Sequence, residues 1–135
     1  MSYLLDTNAA IAIINGTPAG VRNCLRAAIE RAQPVAISSI SLFELQYGVA
    51  KSTRTVENAE RLGAFLRGPI DIVPFDDADA ELAGTIRARL EAIGKPIGPY
   101  DLLIGAQAVR LGWTLITANQ KEFNRIQELR IESWI

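Results

Sequence analysis

The chain has 135 residues, 49% of them hydrophobic, and a formal net charge of −1. We expect a single compact domain over 1–135, because this length can bury a core but leaves no room for a second domain. The sequence has no histidine and one cysteine, Cys24. These counts exclude histidine-dependent nucleophile pairs, an internal disulfide framework and a Cys/His zinc site.

The near-neutral charge argues neither for nor against a nucleic-acid ligand, because an RNA strand can also be attracted by local clusters of Lys and Arg or by a bound cation. No segment approaches the roughly 20 apolar residues that span a bilayer, and the first residues lack the basic region of a signal peptide. We therefore expect a cytoplasmic protein that does not contact a membrane.

Short apolar runs alternate with longer segments of helical period. The apolar runs predict buried strands at Tyr3–Leu5, Val35–Ile37, Ile70–Val73, Thr114–Thr117 and Arg130–Trp134. The segments between them predict helices at Ala19–Ala32, Ser41–Ala50, Val56–Leu66, Asp77–Ala92 and Pro99–Leu111, with a first helix starting near Ala9. Because helices separate the strands, we expect an α/β fold with a central, mostly parallel sheet flanked by helices on both faces.

Three carboxylates stand where predicted strands pass into predicted helices. Asp6 follows the first strand, Glu44 lies near the start of the helix after the second, and Asp101 opens the helix before the fourth. Open parallel sheets place their ligand sites at the carboxyl ends of the strands. If the helix of Asp101 begins at that edge, all three acids converge there.

Each of these acids also has a structural explanation. Asp6 or Thr7 would cap the first helix, and Ser41 with Glu44 matches the capping box Ser-x-x-Glu. A carboxylate at Asp101 would be stabilised by the dipole of its helix. Only the occurrence of all three at one predicted edge favours a functional site.

A cluster of carboxylates persists only with a cation or shared protons, because neighbouring negative charges repel each other. Mg²⁺ is the expected ion, with Mn²⁺ as an alternative, since both prefer oxygen ligands. A metal held in this way polarises a phosphoryl oxygen and supplies a hydroxide without histidine. The set of residues therefore suits phosphodiester hydrolysis.

The fourth predicted strand also ends in polar residues. Thr117 and Asn119 stand at its carboxyl end, and Asn119 either caps the short helix that follows or belongs to the site. Glu122 is a weaker candidate, because a glutamate there is more often solvated. Asp76, Asp77 and Asp79 resemble a metal cluster but are better explained by capping and the helix dipole.

Five cations occupy loops or helix ends near the proposed edge. They either form a solvated face or steer the phosphates of a substrate: Lys51, Arg54, Lys95, Lys121 and Arg125.

Four motifs, in this order and spacing, resemble the PIN-domain family and specifically the VapC-type toxins. They are Leu4–Asn8, Phe43–Gly48, Ile97–Ile104 and Leu115–Asn119, and the resemblance continues to the closing Leu129–Trp134. It implies a magnesium-dependent endoribonuclease toxin that inhibits translation by cutting RNA and is neutralised by a VapB-type antitoxin. It also implies homodimers and operator DNA bound only through the antitoxin.

The resemblance further implies a role for each site residue. Asp6 and Asp101 fall on the positions of the principal metal ligands, and Glu44 on the position that completes the site. Thr7 would position Asp6 or a metal-bound water, with Asn8 beside it. Asn119 stands where many PIN domains have aspartate, which puts a tightly held second metal in doubt unless Glu122 turns inward. The apolar faces of helices Ala19–Ala32 and Ser41–Phe65 would be the grooves for an amphipathic antitoxin segment.

Two other functions are compatible with the sequence. One is a phosphoaspartate-type hydrolase that uses Asp6 as nucleophile, although its usual Asp-x-Asp pattern has Asn8 at the third position. The other is a non-catalytic binding partner of PIN fold in which the acids only cap helices. Divalent-dependent RNA cleavage that is lost in Asp6→Asn and Asp101→Asn distinguishes the nuclease from both.

Overall fold

The computed structural model describes all residues, 1–135, as five strands and seven helices. The strands are β1 (Tyr3–Leu5), β2 (Val35–Ser38), β3 (Asp71–Val73), β4 (Thr114–Ile116) and β5 (Ile131–Glu132). The helices are α1 (Thr7–Asn15), α2 (Gly20–Glu30), α3 (Ser39–Lys51), α4 (Thr55–Leu66), α5 (Asp77–Ala92), α6 (Pro99–Leu111) and α7 (Gln120–Phe123). None of these helices combines the length and the apolar composition that crossing a bilayer demands.

The five strands form one parallel sheet in the order β3-β2-β1-β4-β5. Leu5, the last residue of β1, is aligned with Ile37 in β2 and with Ile116 in β4. The strand order reverses at β1, and ligand sites in open α/β sheets lie at such a reversal, beyond the carboxyl ends of the strands. The residues that follow β1, β2 and β4 therefore share this location.

Two hydrophobic cores pack against opposite faces of the sheet. Leu5 and Ile37 belong to the core beneath α1 to α4, whereas Leu4 and Leu115 belong to the core shared with α5 and α6. This division follows from the pleat, because neighbouring residues of a strand point to opposite faces. The predicted α/β fold, with helices on both faces of a parallel sheet, is confirmed.

The predicted strands and helices are all present, and their ends shift by at most a few residues. The main correction concerns α3, which begins at Ser39 and is capped by Ser38, whose side chain accepts a hydrogen bond from the amide of Ile40. The predicted capping box of Ser41 and Glu44 is therefore wrong. Both side chains lie inside the helix and are free for other contacts.

The acidic segment before α5 is a true capping box, as predicted. Asp76 caps the helix by accepting from the amide of Asp79, and Asp79 accepts from the amide of Asp76. Asp79 is also completely buried and is paired with Arg110 of α6. The pair links the start of α5 to the end of α6, so these acids are structural.

Candidate active site

Asp6 lies at the carboxyl end of β1 and is also the N-cap of α1. Its Oδ1 accepts a 2.7 Å hydrogen bond from the amide of Ala9, and the residue is only 3% exposed. Burial raises the pKa of Asp6, and the nearby charge of Glu44 raises it further. The side chain of Thr117 and the amide of Ala9 oppose this rise. The capping and site interpretations of Asp6 are thus compatible.

Glu44 projects from the second turn of α3 toward the start of α1. The hydroxyl of Thr7 lies 2.6 Å from its Oε1 and 3.0 Å from Oγ of Ser41. The resemblance implied that Thr7 positions Asp6 or a water. In the structure Thr7 instead contacts Glu44, and Thr117 is the hydroxyl beside Asp6.

Asp101 lies in the first turn of α6, which begins at Pro99 after the N-cap Gly98. Its pKa is raised to about 6, first by burial and then by the charges of Asp6, Glu44 and Glu122. A carboxylate is sensitive to these neighbours only when they are close in a poorly solvated site. The helix of Asp101 therefore begins at the edge where Asp6 and Glu44 lie, as expected.

The segment after β4 contains Asn119, for which the sequence left two interpretations open, a helix cap or a site residue. The side chain of Asn119 does not cap α7; its Nδ2 donates a 2.6 Å hydrogen bond to Oε2 of Glu122. Thr117 is buried and its Oγ1 accepts from the amide of Asn119. The sequence predicted a solvated side chain for Glu122. In the structure Glu122 is held by Asn119 and lies close enough to raise the pKa of Asp101. The site thus contains a fourth carboxylate.

The charges of Asp6, Glu44 and Glu122 all act on Asp101, but no three acidic side chains are close enough to enclose an ion by themselves. These two observations agree if water fills part of the coordination shell. Mg²⁺ usually keeps several waters and takes only one or two carboxylates directly. The all-oxygen donors and the excess of negative charge fit such an ion.

The predicted cations lie in different loops and helices of the structure. Lys95 is exposed in the loop before α6, and Lys121 is exposed in α7 beside Glu122. Lys51 ends α3, roughly 10 Å along the helix axis from Glu44. Arg54 pairs with Glu57 at 3.5 Å. Asn8, the uncharged residue predicted to support the site, is exposed in the first turn of α1. Lys95 and Lys121 are therefore the better placed of the predicted phosphate contacts.

A groove between α1, α3 and α4 begins at Glu44. Five of its ten lining residues are hydrophobic: Ile11, Ile14, Leu45, Val49 and Leu62. Gly48 and four polar residues, Asn15, Glu44, Asn58 and Arg61, complete the lining. The sequence predicted apolar faces on this helix pair and on α2. It did not predict the contribution of α1, because the groove forms only when helices distant in sequence pack together.

An exposed aromatic patch lies on the other side of Glu44 and Asp101. Phe43 and Tyr100 directly precede these acids in the chain, and their rings are tilted with centroids 5.7 Å apart. Tyr47 follows one turn after Phe43. The three side chains are 46–56% exposed. Exposed aromatic clusters of this kind mark interaction surfaces.

Comparison with known proteins agrees with this geometry. The PIN domain family model matches residues 3–129. The chain is 41% identical over 99% of its length to ribonuclease VapC2 of Rickettsia felis, and it covers 98% of that protein. It is 37% identical, over 99% of its length, to the tRNA(fMet)-specific endonuclease VapC of Shigella flexneri, with 98% of that protein covered.

A solved structure shows the same relationship in three dimensions. The crystal structure of VapBC2 from Rickettsia felis bound to a DNA fragment from its promoter contains a chain with a TM-score of 0.93 and 39% identity, with each chain covered completely. The present chain therefore belongs to the PIN-domain family and, within it, to the VapC-type ribonucleases. This assignment removes the support for a phosphoaspartate-type hydrolase.

Proposed function

We propose that the protein is a divalent-metal-dependent endoribonuclease toxin whose site is formed by Asp6, Glu44 and Asp101. The observation that carries this proposal is the convergence of four carboxylates at one edge of the sheet, where burial raises the pKa of Asp101 and the charges of Asp6, Glu44 and Glu122 raise it further. No cation contributes to this effect. A bound Mg²⁺ or Mn²⁺ would remove the repulsion and favour the ionised form of each acid.

Asp6 and Asp101 would hold the metal, directly or through water, and Glu44 would orient the attacking water. The metal, when bound, supplies Lewis acidity and an activated water for attack on a phosphodiester. Glu122, which is held by a hydrogen bond from Asn119, would be available as a fourth oxygen donor. Thr117 favours the ionised form of Asp6. Lys95 and Lys121 would bind the substrate phosphates near the acids. Lys51 and Arg54 would bind phosphates of the RNA farther from the acids.

The substrate class we propose is structured RNA with an accessible loop. The name of the Shigella flexneri relative specifies tRNA(fMet). Transfer RNA is therefore the first substrate to test, and its cleavage would inhibit translation. A loop suits a site at a sheet edge, because unpaired nucleotides expose their phosphates and bases to the protein.

The groove between α1, α3 and α4 suits a VapB-type antitoxin segment. The solved Rickettsia felis structure is a complex named VapBC2 with promoter DNA. An amphipathic segment in the groove would bury its apolar face against Ile11 and Ile14 and would end at Glu44, where access to the acids is blocked. Operator DNA would be bound through the antitoxin, as the resemblance to VapC-type toxins implies.

The aromatic patch of Phe43, Tyr47 and Tyr100 suits a second copy of the chain. A homodimer through this patch would remove three exposed rings from water and would bring two acidic sites near one interface.

Cytoplasmic action follows from an RNA substrate and an antitoxin partner.

The experiment that tests the function is cleavage of total RNA by purified, antitoxin-free protein with Mg²⁺ or Mn²⁺, followed by sequencing of the new ends. We expect cleavage that EDTA abolishes and that Asp101→Asn removes. Equal cleavage with and without chelator contradicts a metal-dependent mechanism. A folded protein that cleaves no RNA but still binds the antitoxin supports the non-catalytic binding partner instead.

A further inference from the structure

Ser41 is a buried serine inside α3 with a single polar neighbour. The residue is completely inaccessible to solvent, and the hydroxyl of Thr7, 3.0 Å away, is the one hydrogen-bond partner of its Oγ. Ser38 already caps α3, so Ser41 has no role at the helix terminus. Ser41 also lies one turn before Glu44, on the same face of the helix.

The chemistry of the two hydroxyls fixes the direction of these hydrogen bonds. A hydroxyl has one proton, and a carboxylate only accepts. The 2.6 Å contact with Oε1 of Glu44 has the length of a bond to a charged acceptor, so Thr7 donates its proton to Glu44. Ser41 must then donate to Thr7, because its buried proton would otherwise lack a partner at a considerable energetic cost.

We propose that Ser41 is a positioning residue that acts through Thr7 to hold Glu44 in its working orientation. The relay of Ser41, Thr7 and Glu44 occupies Oε1, whereas Oε2 of Glu44 makes no hydrogen bond. Glu44 therefore presents one oxygen to the site. This inference rests on the nuclease function proposed above and adds that Glu44 acts through that single oxygen.

The relay also explains why two hydroxyl residues occur between tightly packed helices. Ser41 comes from α3 and Thr7 from the first turn of α1, directly after Asp6. The hydrogen bonds therefore connect the element that carries Asp6 to the element that carries Glu44. Without the proton of Ser41, the Thr7 hydroxyl can rotate and the Glu44 carboxylate gains conformational freedom.

The test compares Ser41→Ala, Thr7→Val and the double variant with wild type. Mn²⁺ affinity is measured by calorimetry, and kcat and KM for RNA cleavage are measured at saturating Mn²⁺. Residues that orient a metal ligand typically change affinity or activity by about 10 to 100-fold when removed. We expect Ser41→Ala to reduce Mn²⁺ affinity or kcat by about 10-fold, with KM unchanged, and Ser41→Thr to recover most of the loss. The double variant should match Thr7→Val, because Ser41 acts only through Thr7.

Ser39→Ala is the matched control. Ser39 lies in the same helix, but its Oγ accepts from the amide of Phe75, away from the acids. This variant should change stability without changing Mn²⁺ affinity or kcat. Two outcomes overturn this inference and leave the proposed function intact. In one, Ser39→Ala and Ser41→Ala change Mn²⁺ affinity and kcat equally. In the other, Ser41→Ala lowers Mn²⁺ affinity or kcat as much in the Thr7→Val background as in wild type. A wild-type protein that neither binds Mn²⁺ nor cleaves RNA overturns the proposed function as well.

Discussion

The carboxyl groups of Asp6 and Asp101 repel each other across the edge of the sheet, although they lie far apart in the sequence. This repulsion persists in the protein without metal, where it opposes folding. A site of this kind is maintained for its ligand and not for stability. The consequence is measurable as a dependence of stability on pH.

The metal-free protein should become more stable when Asp101 is replaced by Asn at neutral pH. The folded-state pKa of Asp101 is about 6, above its usual value of 3.8, so ionisation opposes folding above pH 6. A shift of this size corresponds to about 3 kcal/mol, and solvent screening of this partly exposed group reduces the expected gain to about 1 to 2 kcal/mol. Urea unfolding in EDTA at pH 7.5 measures the gain.

The gain should decline as pH falls from 6 and vanish below pH 4, where Asp101 is protonated in both folded and unfolded chains. Asp71→Asn is the control, because Asp71 is exposed at the start of β3, at the opposite edge of the sheet. A stabilisation that is the same at pH 7.5 and at pH 3.5 would show that the charge of Asp101 is not its cause.

The antitoxin groove should be sensitive to charge at Ile11. This side chain lines the groove near Glu44 and is partly exposed, so Ile11→Asp places an unpaired charge in the interface without disturbing the core. Loss of one well-packed apolar contact at an interface costs about 1 to 3 kcal/mol, so we expect the Kd for a VapB-type antitoxin to rise about 10 to 100-fold. Calorimetric titration with the antitoxin measures this change.

Val56→Asp is the matched control for the groove. Val56 is the most exposed large hydrophobic residue of the chain and lies in the first turn of α4, outside the groove. Its replacement should leave both antitoxin affinity and RNA cleavage unchanged. Antitoxin binding that weakens equally in both variants would place the interface elsewhere.

The sequence predicted the fold more completely than the site. Apolar runs and helical periods located all five strands, because the buried strands are short and well separated. Glu44 shows why the local pattern was insufficient: Ser41 and Glu44 match a capping box, but the helix begins earlier because Ser38, the last residue of β2, caps it. A motif records spacing along the chain and does not record where the preceding strand ends.

Two side-chain contacts account for the other differences. The side chain of Glu122 is held by a hydrogen bond from Asn119, and its charge raises the pKa of Asp101. The complete burial of Asp79 depends on Arg110, which is remote in the sequence and adjacent only after α5 and α6 pack together. Neither relationship has a sequence signal of its own, whereas the capping roles of Asp6 and Asp76 do.

Self-association should depend on the aromatic patch. Phe43→Glu introduces a charge into the centre of the patch, beside Tyr100, and the exposed position tolerates the change in the monomer. We expect a homodimer in the wild type and a monomer in this variant, as measured by sedimentation. Ile93→Glu, at the exposed C-terminal end of α5, serves as control and should keep the wild-type state. A monomeric wild type would show that the patch has another partner.

Two ion pairs of the chain should contribute very differently to stability. Arg110 pairs with the completely buried Asp79, and this contact, together with the charge of Asp76, raises the pKa of Arg110 further. Arg87 pairs with Glu91 at 3.1 Å on the exposed surface of α5. Exposed pairs contribute about 0 to 1 kcal/mol, whereas removal of one partner of a buried pair leaves an uncompensated charge.

Arg110→Met should therefore reduce the free energy of unfolding by about 2 to 4 kcal/mol, and Arg87→Met by less than about 1 kcal/mol. The expected loss for Arg110 lies below the full cost of a broken buried pair, because the Arg110 side chain is 31% exposed and Asp79 keeps its hydrogen bond from the amide of Asp76. Urea unfolding at pH 7 and low salt measures both variants. Arg110 lies at the end of α6 opposite to Asp101. If Arg110→Met and Arg87→Met reduce the free energy of unfolding equally, the pair of Arg110 and Asp79 does not hold α6 against α5.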